Sequence, residues 1–294
     1  MVESPRIYTA ALIVIGDEIL SGRTHDKNIA QVASWLGVQG IRLSEVRVVA
    51  DDEAAIIAAV NALRTAHDYL FTTGGIGPTH DDITTACIAR AFGRKVIRHP
   101  EAEKKLRAFY KDSVSKGGGV NEARLKMAET PDGEGVTLIE TLVTSAPGYR
   151  IENVFVMAGV PSIAQAMFEA AVPLLRKGDP VYSGSVDGEV REGDIAADLA
   201  ALQERYPSVS LGSYPSVRDN RLFTSIVARA TDKALIVESD GVMIGFLLGF
   251  IAHHPVKTGY VHLVASTRSI AARAWGACSM RSSPRAAARR AACA

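Results

Sequence analysis

The chain has 294 residues, 47% of them hydrophobic and 22% charged, with a formal net charge of +1. That length suits one large α/β domain plus a smaller one, and the apolar fraction is enough to bury a sizeable core. The near-neutral balance gives no electrostatic argument for nucleic acid, and 6% aromatic residues argue against a stacking platform for single strands.

Residues 1–5 carry the acidic Glu3, and no basic segment precedes the short apolar run 10–15, so no signal peptide is expected. Tyr8–Ile15 (YTAALIVI) is nearly all apolar, the pattern of a strand buried on both faces, and it runs into Gly16-Asp17-Glu18. Residues 28–37 place apolar side chains at 29, 30, 32, 33 and 36, the stripe of an amphipathic helix. A second strand is predicted over 42–49. Asp51-Asp52-Glu53 reads as a helix start and 54–66 as its continuation. Tyr69–Thr73 is a third strand ending in Gly74-Gly75-Ile76-Gly77, and 82–92 is the next helix, closed by Gly93. Residues 101–128 read as helical and charged, interrupted by Gly117-Gly118-Gly119. Strands follow at Val136–Ile139 and Val154–Met157, and Pro161 opens a helix predicted to reach about Arg176. The alternation predicts a doubly wound α/β fold with a mainly parallel sheet over residues 1–176.

Lys177-Gly178-Asp179-Pro180 reads as a domain boundary. Beyond it a helix (Glu192–Arg205) and two strands (209–213 and 222–230) make a small α+β domain over 177–234. Residues 235–294 differ in kind. Seven of the 33 Lys/Arg but two of the 32 Asp/Glu lie there, so the first 234 residues are net acidic. This tail lacks clear periodicity and ends in an Arg/Ala-rich run; it is expected to present no defined face to bury, and an out-of-frame translation of a GC-rich gene is a second reading of it. Its apolar stretch 241–252 is too short to span a membrane. The three cysteines, Cys87, Cys278 and Cys293, have no metal-site spacing and fit a reduced, cytoplasmic protein.

Three loops follow three predicted strands: Gly16-Asp17-Glu18, Gly74-Gly75-Ile76-Gly77 and Ala158-Gly159-Val160-Pro161. In an open parallel sheet, ligands bind outside the carboxyl ends of the strands, so the fold brings these loops to one edge. Without a Cβ, Gly74, Gly75 and Gly77 let the backbone approach a phosphate and aim N–H groups at it, and a side chain at Gly75 is expected to take the phosphate's place. The following helix turns its positive end to the same anion. Asp81 and Asp82 would repel a phosphate unless a divalent cation stands between; Mg²⁺ is held by one or two carboxylates and shared with substrate phosphates, and Asp17 and Glu18 can join as ligands. The bland reading is a tight turn with Asp82 capping the helix. His80 reads as a general acid or base, or as a surface residue; His25 has less claim to such a role. Asn28 orients a ligand or caps the first helix, capping being the safer reading. Cys87 reads as packing, Lys104, Lys105, Arg107 and Lys111 as a solvated helix face, and Arg124 and Lys126 as phosphate-reaching or surface residues.

Gly16–Gly22 (GDEILSG), Asp26-Lys27-Asn28, Thr73–Thr84 (TGGIGPTHDDIT), Ser145-Ala146-Pro147-Gly148 and Met157–Ser162 (MAGVPS) together resemble the MoaB/Mog molybdopterin-binding superfamily, and within it the N-terminal domain of the CinA proteins. Glu192-Gly193-Asp194-Ile195-Ala196 and Leu211–Pro215 are similar to the region after this domain in flavin-nucleotide-handling relatives, including animal FAD synthases. The deamidase domain of full-length CinA members does not follow within these 294 residues. The resemblance implies a ligand site over Gly16, Asn28, Thr73, Gly74, Gly75, Gly77, Pro78, Thr79, Thr84, Gly159, Pro161 and Ser162. It implies a metal held by Asp17, Glu18, Asp81 and Asp82, the last two being catalytic. The expected activity is metal-dependent hydrolysis of a nucleotide pyrophosphate of the ADP-ribose or FAD class. The alternatives are a molybdopterin adenylyltransferase or carrier, and a non-catalytic nucleotide-binding module. The expected partner is a small phosphorylated ligand rather than nucleic acid or membrane, and the protein is expected to be a homo-oligomer.

Overall fold

A computed structural model of the chain describes residues 7–111 and 119–231, together with the backbone of four short strands between 236 and 262. The chain divides into two compact units, Met1–Pro180 and Val181–Ala294.

The first unit is built on a six-stranded sheet. Its strands are β1 (Tyr8–Ile15), β2 (Ile41–Val49), β3 (Tyr69–Thr73), β6 (Val136–Ile139), β7 (Gly148–Ile151) and β8 (Val154–Met157), in the order β2-β1-β3-β8-β7-β6. The pairs β1–β2, β1–β3 and β3–β8 are parallel; β8–β7 and β7–β6 are antiparallel. The apolar run of β1 has a direct cause in this arrangement. Ala10, Leu12 and Val14 face one core and Ala11, Ile13 and Ile15 the other, so both strand faces exclude water.

The first core is closed by α2 (Asn28–Val38) and α7 (Pro161–Ala171), which lay Val32, Leu36, Met167 and Phe168 over the sheet. Phe71 stacks on Phe155 at 5.0 Å and meets Phe168 edge-on at 5.8 Å. The second core is closed by α3 (Glu53–Ala66) and α4 (Thr84–Ala91) through Ile56, Val60, Leu63 and Ile88. Each fully buried side chain of this size contributes about 1.5–3 kcal/mol.

Between α4 and β6 the chain makes an excursion of β4 (Val96–Arg98), α5 (Pro100–Lys111), α6 (Glu122–Lys126) and β5 (Glu129–Pro131), with β4 and β5 antiparallel. A one-turn α1 (Asp17–Leu20) follows β1 directly.

The doubly wound, mainly parallel fold expected from the sequence is the one observed. Strand β7 was not legible as a strand: it belongs to a hairpin whose turn is Glu152-Asn153, with Glu152 at φ 50°. The last helix of the unit ends at Ala171 and tightens into a 3-10 turn over Val172–Leu174, short of the expected Arg176.

In the second unit β9 (Tyr182–Gly188), β10 (Ser210–Arg218) and β11 (Arg221–Ala230) form an antiparallel sheet of order β10-β11-β9, and α8 (Glu192–Arg205) packs Ile195 against Val209, Ile226 and Ala228. The β10–β11 turn is Asp219-Asn220, both at positive φ, the geometry a two-residue hairpin demands. Strand β9 (YSGSVDG) carries too little apolar signal to be read from sequence; pairing with β11 makes it a strand.

In the tail, Ile236–Ser239 pairs with Val242–Phe246 and Gly249–Ile251 with Tyr260–His262, all antiparallel. The expectations for the rest of residues 235–294, Cys278 and Cys293 among them, lie outside the described residues. No helix among the described residues is long and apolar enough to cross a membrane.

Candidate functional site

Because β2, β1, β3 and β8 run parallel, their carboxyl ends share one edge. Four loops leave it: from Val49 into Asp51, from Ile15 into Gly16, from Thr73 into Gly74 and from Met157 into Gly159. They are tied backbone to backbone. Gly16 N–H donates to Val49 O at 3.1 Å, and Gly74 N–H to Met157 O at 3.2 Å.

The Gly74–Gly77 loop is held from beneath by Thr84. Its N–H donates to Gly75 O at 3.0 Å and its hydroxyl to Gly74 O at 2.9 Å, and its side chain is buried. The space for glycine here is internal. A Cβ on Gly74 would stand 2.1 Å from Ile15 O, and a Cβ on Gly75 2.1 Å from Thr84 Oγ1, both at positive φ. The expectation that a side chain at Gly75 would displace a phosphate is therefore corrected: it would collide with the helix start. A Cβ on Gly159 would approach Gly74 Cα at 3.2 Å, so the loops after β3 and β8 pass in close contact.

Two capping expectations also change. Asp82 does not cap α4, whose first residue is Thr84; its carboxylate accepts from Thr79 N–H at 2.8 Å and from the Thr79 hydroxyl, closing the turn 79–82 on itself. Asn28 does not cap α2. Asp26 accepts from Ile29 N–H at 2.7 Å, while Asn28 Nδ2 donates to Gly159 O at 2.9 Å and ties the first helix to the β8 loop. The buried Asn28 Oδ1 and Thr73 Oγ1 have no hydrogen-bond partner, two polar oxygens at the same edge with capacity to spare.

The carboxylates gather differently from expectation. Asp51, read from sequence as part of a helix start, faces Asp17: Asp17 N–H donates to Asp51 Oδ2 at 3.0 Å and Asp51 N–H to Asp17 Oδ1 at 3.4 Å. Its neighbour Asp52 is the residue that caps α3, accepting from Ala55 N–H at 2.8 Å. Partial burial raises the Asp51 pKa, and the like charges of Asp17, Glu18 and Asp81 push it the same way against the Asp17 N–H. Asp81 is opposite in character. The Thr79 hydroxyl, then its own N–H, hold its carboxyl below the ordinary value, with small contributions from His80 and Lys126. His80 is almost fully exposed, its Nδ1 4.0 Å from Asp81 Oδ1. Lys126 Nζ donates to Thr79 O. Pro78, Gly159 and Ser162 are exposed and Pro161 is the first residue of α7. Among the described residues no three His, Cys, Asp or Glu side chains converge as a ready metal cage. The carboxylates thus influence one another across the edge without closing on a single point.

Residues 11–177 match the family described as "Probable molybdopterin binding domain". The chain belongs to the MoaB/Mog molybdopterin-binding superfamily. Its likeness within that superfamily is to the CinA type. The crystal structure of the protein CinA from Thermoplasma acidophilum, described as of unknown function, is similar over 57% of this chain and 97% of that one, at 29% identity and a TM-score of 0.51. A protein of Thermococcus kodakarensis, TK1472, is 38% identical over 172 residues, 55% of this chain and 68% of that one. A CinA-like protein of Desulfosudis oleivorans is 32% identical over 234 residues, 76% of this chain. Residues 180–240 match the FAD synthase middle domain, and a probable FAD synthase of Caenorhabditis briggsae is 28% identical over 266 residues, 84% of this chain. The chain spans about half the length of these last two relatives, 55% and 51%. A molybdopterin-binding domain of CinA type thus leads into a domain of the FAD synthase kind.

Proposed function

We propose that the protein is a metal-dependent nucleotide pyrophosphatase acting on a dinucleotide such as FAD or ADP-ribose. The observation that supports the reading is the placement of Asp17, Glu18, Asp51 and Asp81 on three loops at the sheet edge beside the glycine turn, where Asp17 and Asp51 exchange backbone hydrogen bonds and the like charges add to the burial that raises the Asp51 pKa. Like charges so placed favour a cation among them. The donor set is all carboxylate oxygen, which suits Mg²⁺ or a similar hard ion, and its openness suits an ion that completes its shell with water and substrate phosphate. A divalent ion bound there would offset charge on the leaving phosphate.

The chain's own groups divide the remaining work. Asp17 and Glu18 would hold the ion from the first loop, and Asp81, kept ionised at neutral pH, would hold it from the second. Asp82, engaged with Thr79, keeps that second loop closed. The unpartnered Asn28 Oδ1 and Thr73 Oγ1 offer acceptors to ligand hydroxyl or amino groups. Water adds across one P–O–P bridge. One phosphorus takes the water oxygen, the bridging oxygen leaves with the other, and FAD yields AMP and FMN while ADP-ribose yields AMP and ribose 5-phosphate.

A second reading, molybdopterin adenylyl transfer or carriage, draws on the family's own description. The match of residues 180–240 to an FAD synthase domain supports the dinucleotide instead. Incubation with FAD, ADP-ribose, or ATP plus molybdopterin, each with Mg²⁺ or with excess chelator, separates them by product analysis. AMP released from FAD or ADP-ribose only with metal supports the proposal. Adenylylated molybdopterin supports the second reading, and binding without turnover on any substrate identifies a non-catalytic module.

A further inference from the structure

The excursion between α4 and β6 brings a basic side chain back to the glycine loop. Lys126 ends α6, 47 residues beyond Thr79, and its ammonium donates to the Thr79 carbonyl. Thr79 is the pivot of the turn that carries Asp81 and Asp82: its N–H and hydroxyl hold Asp82, and Asp81 lies between the two. Lys126 therefore holds the turn by the Thr79 carbonyl, while the N–H and hydroxyl of the same residue hold Asp82.

The grip has a firm base. Asn121 caps α6 by accepting from Arg124 N–H at 2.8 Å, and Leu125 is fully buried. Glu122 pairs with Arg98 of β4 at 2.8 Å, and the Arg124 guanidinium lies 4.4 Å over the Tyr110 ring of α5. A lysine on an unanchored surface helix loses side-chain and backbone freedom to hold one carbonyl, and such contacts usually contribute little. Here the helix is already fixed, so only the lysine's own side chain remains to be ordered, and its ammonium keeps donors to spare. Its charge also opposes the carboxylates gathered at the edge.

We propose that Lys126 is a positioning residue that locks the turn 79–82 in the conformation in which Asp82 closes on Thr79 and Asp81 is held at the sheet edge for the ion, and that delivering it is the function of the α5–α6 excursion. This rests on the pyrophosphatase reading for its catalytic consequence, though the loop-locking part stands apart from it.

The test compares Lys126→Met, which keeps the stem and removes the charge, with Lys126→Arg, and uses Lys105→Met as a control that breaks the surface pair Lys105–Glu140 on α5. Two readouts are taken on the full chain: amide hydrogen exchange over 77–84, and Mg²⁺-dependent turnover of FAD and ADP-ribose. Lys126→Met should speed exchange in that segment by about tenfold or more and lower kcat by about 10- to 100-fold with KM changed less than about threefold, the signature of misplaced reacting groups. Lys126→Arg should restore most of both, and Lys105→Met should alter neither. Unchanged exchange in Lys126→Met overturns the proposal, as does a loss of kcat equal in Lys126→Met and Lys126→Arg, or a global rise in exchange marking a purely structural role. If the wild-type protein turns over neither substrate, the pyrophosphatase reading falls, and the exchange comparison still decides whether Lys126 locks the turn.

Discussion

Gly75→Ala is the perturbation that most directly weighs the packing of the loop. Gly75 sits at φ +67°, where an L side chain is disfavoured by about 1–2 kcal/mol. The new Cβ would also lie 2.1 Å from Thr84 Oγ1 and 3.2 Å from Thr84 Cβ. Thr84 is buried and hydrogen-bonded to Gly74 O, so it cannot swing away freely; overpacking of this kind adds about 1–3 kcal/mol. The expected loss is about 2–5 kcal/mol, read by urea denaturation, with each kcal/mol lowering Tm by about 2–4 °C in a domain of this size. Thr84→Ala alone should lose about 1 kcal/mol with its hydroxyl bond to Gly74 O. In the double variant the oxygen clash is gone but the φ strain and the close Cβ pair remain, so the double-mutant cycle should show about 0.5–2 kcal/mol of favourable coupling. A loss below about 1 kcal/mol for Gly75→Ala, with the two substitutions additive within about 0.5 kcal/mol, would refute the account of an internally required glycine.

Three further outcomes are expected. Asp51→Asn keeps an oxygen to accept from Asp17 N–H and removes a like charge, so the metal-free protein at pH 7 should gain about 0.5 kcal/mol. The sign follows from the raised folded pKa: the wild-type group favours the fold below its ordinary value of 3.8 and loses that contribution as pH rises through the folded value, so the gain should vanish near pH 3, and a destabilised variant at pH 7 would contradict it. Cys87, buried against α3 with its thiol pushed up to about 11 chiefly by burial, should resist thiol reagents at pH 8 until the domain unfolds; rapid labelling of the native protein at this residue would show the core to be open there. Phe71→Ala should destabilise by about 3–5 kcal/mol in a calorimetric or denaturant measurement, since the ring is fully buried between Phe155, Phe168 and Trp35, and a loss under about 1.5 kcal/mol would mean that the core collapses around the gap.

The sequence by itself determined the elements whose signal is local. The nearly all-apolar run of β1 reads as a strand buried on both faces, the apolar stripe of α2 as a helix lying on it, and Asp51-Asp52-Glu53 as the start of α3; those patterns are set by water exclusion and capping along the chain. The position of three loops at one sheet edge followed from parallel topology alone. Strands β7 and β9 were hidden because short, glycine- or polar-containing segments become strands by pairing, and their partners are known only in the fold. The same limit applied at the site. Asp51 and Asp52 are adjacent and alike in sequence, yet Asp52 caps a helix and Asp51 turns toward Asp17, 34 residues away. Asn28 gave up capping to Asp26 because Gly159 O, 131 residues on, lies within its reach. Lys126 is one of several basic residues in a charged stretch until α6 sets it against Thr79. Residue type reports what a side chain is able to do; which of those options it takes depends on the groups brought within about 3 Å of it, and only the tertiary structure supplies them.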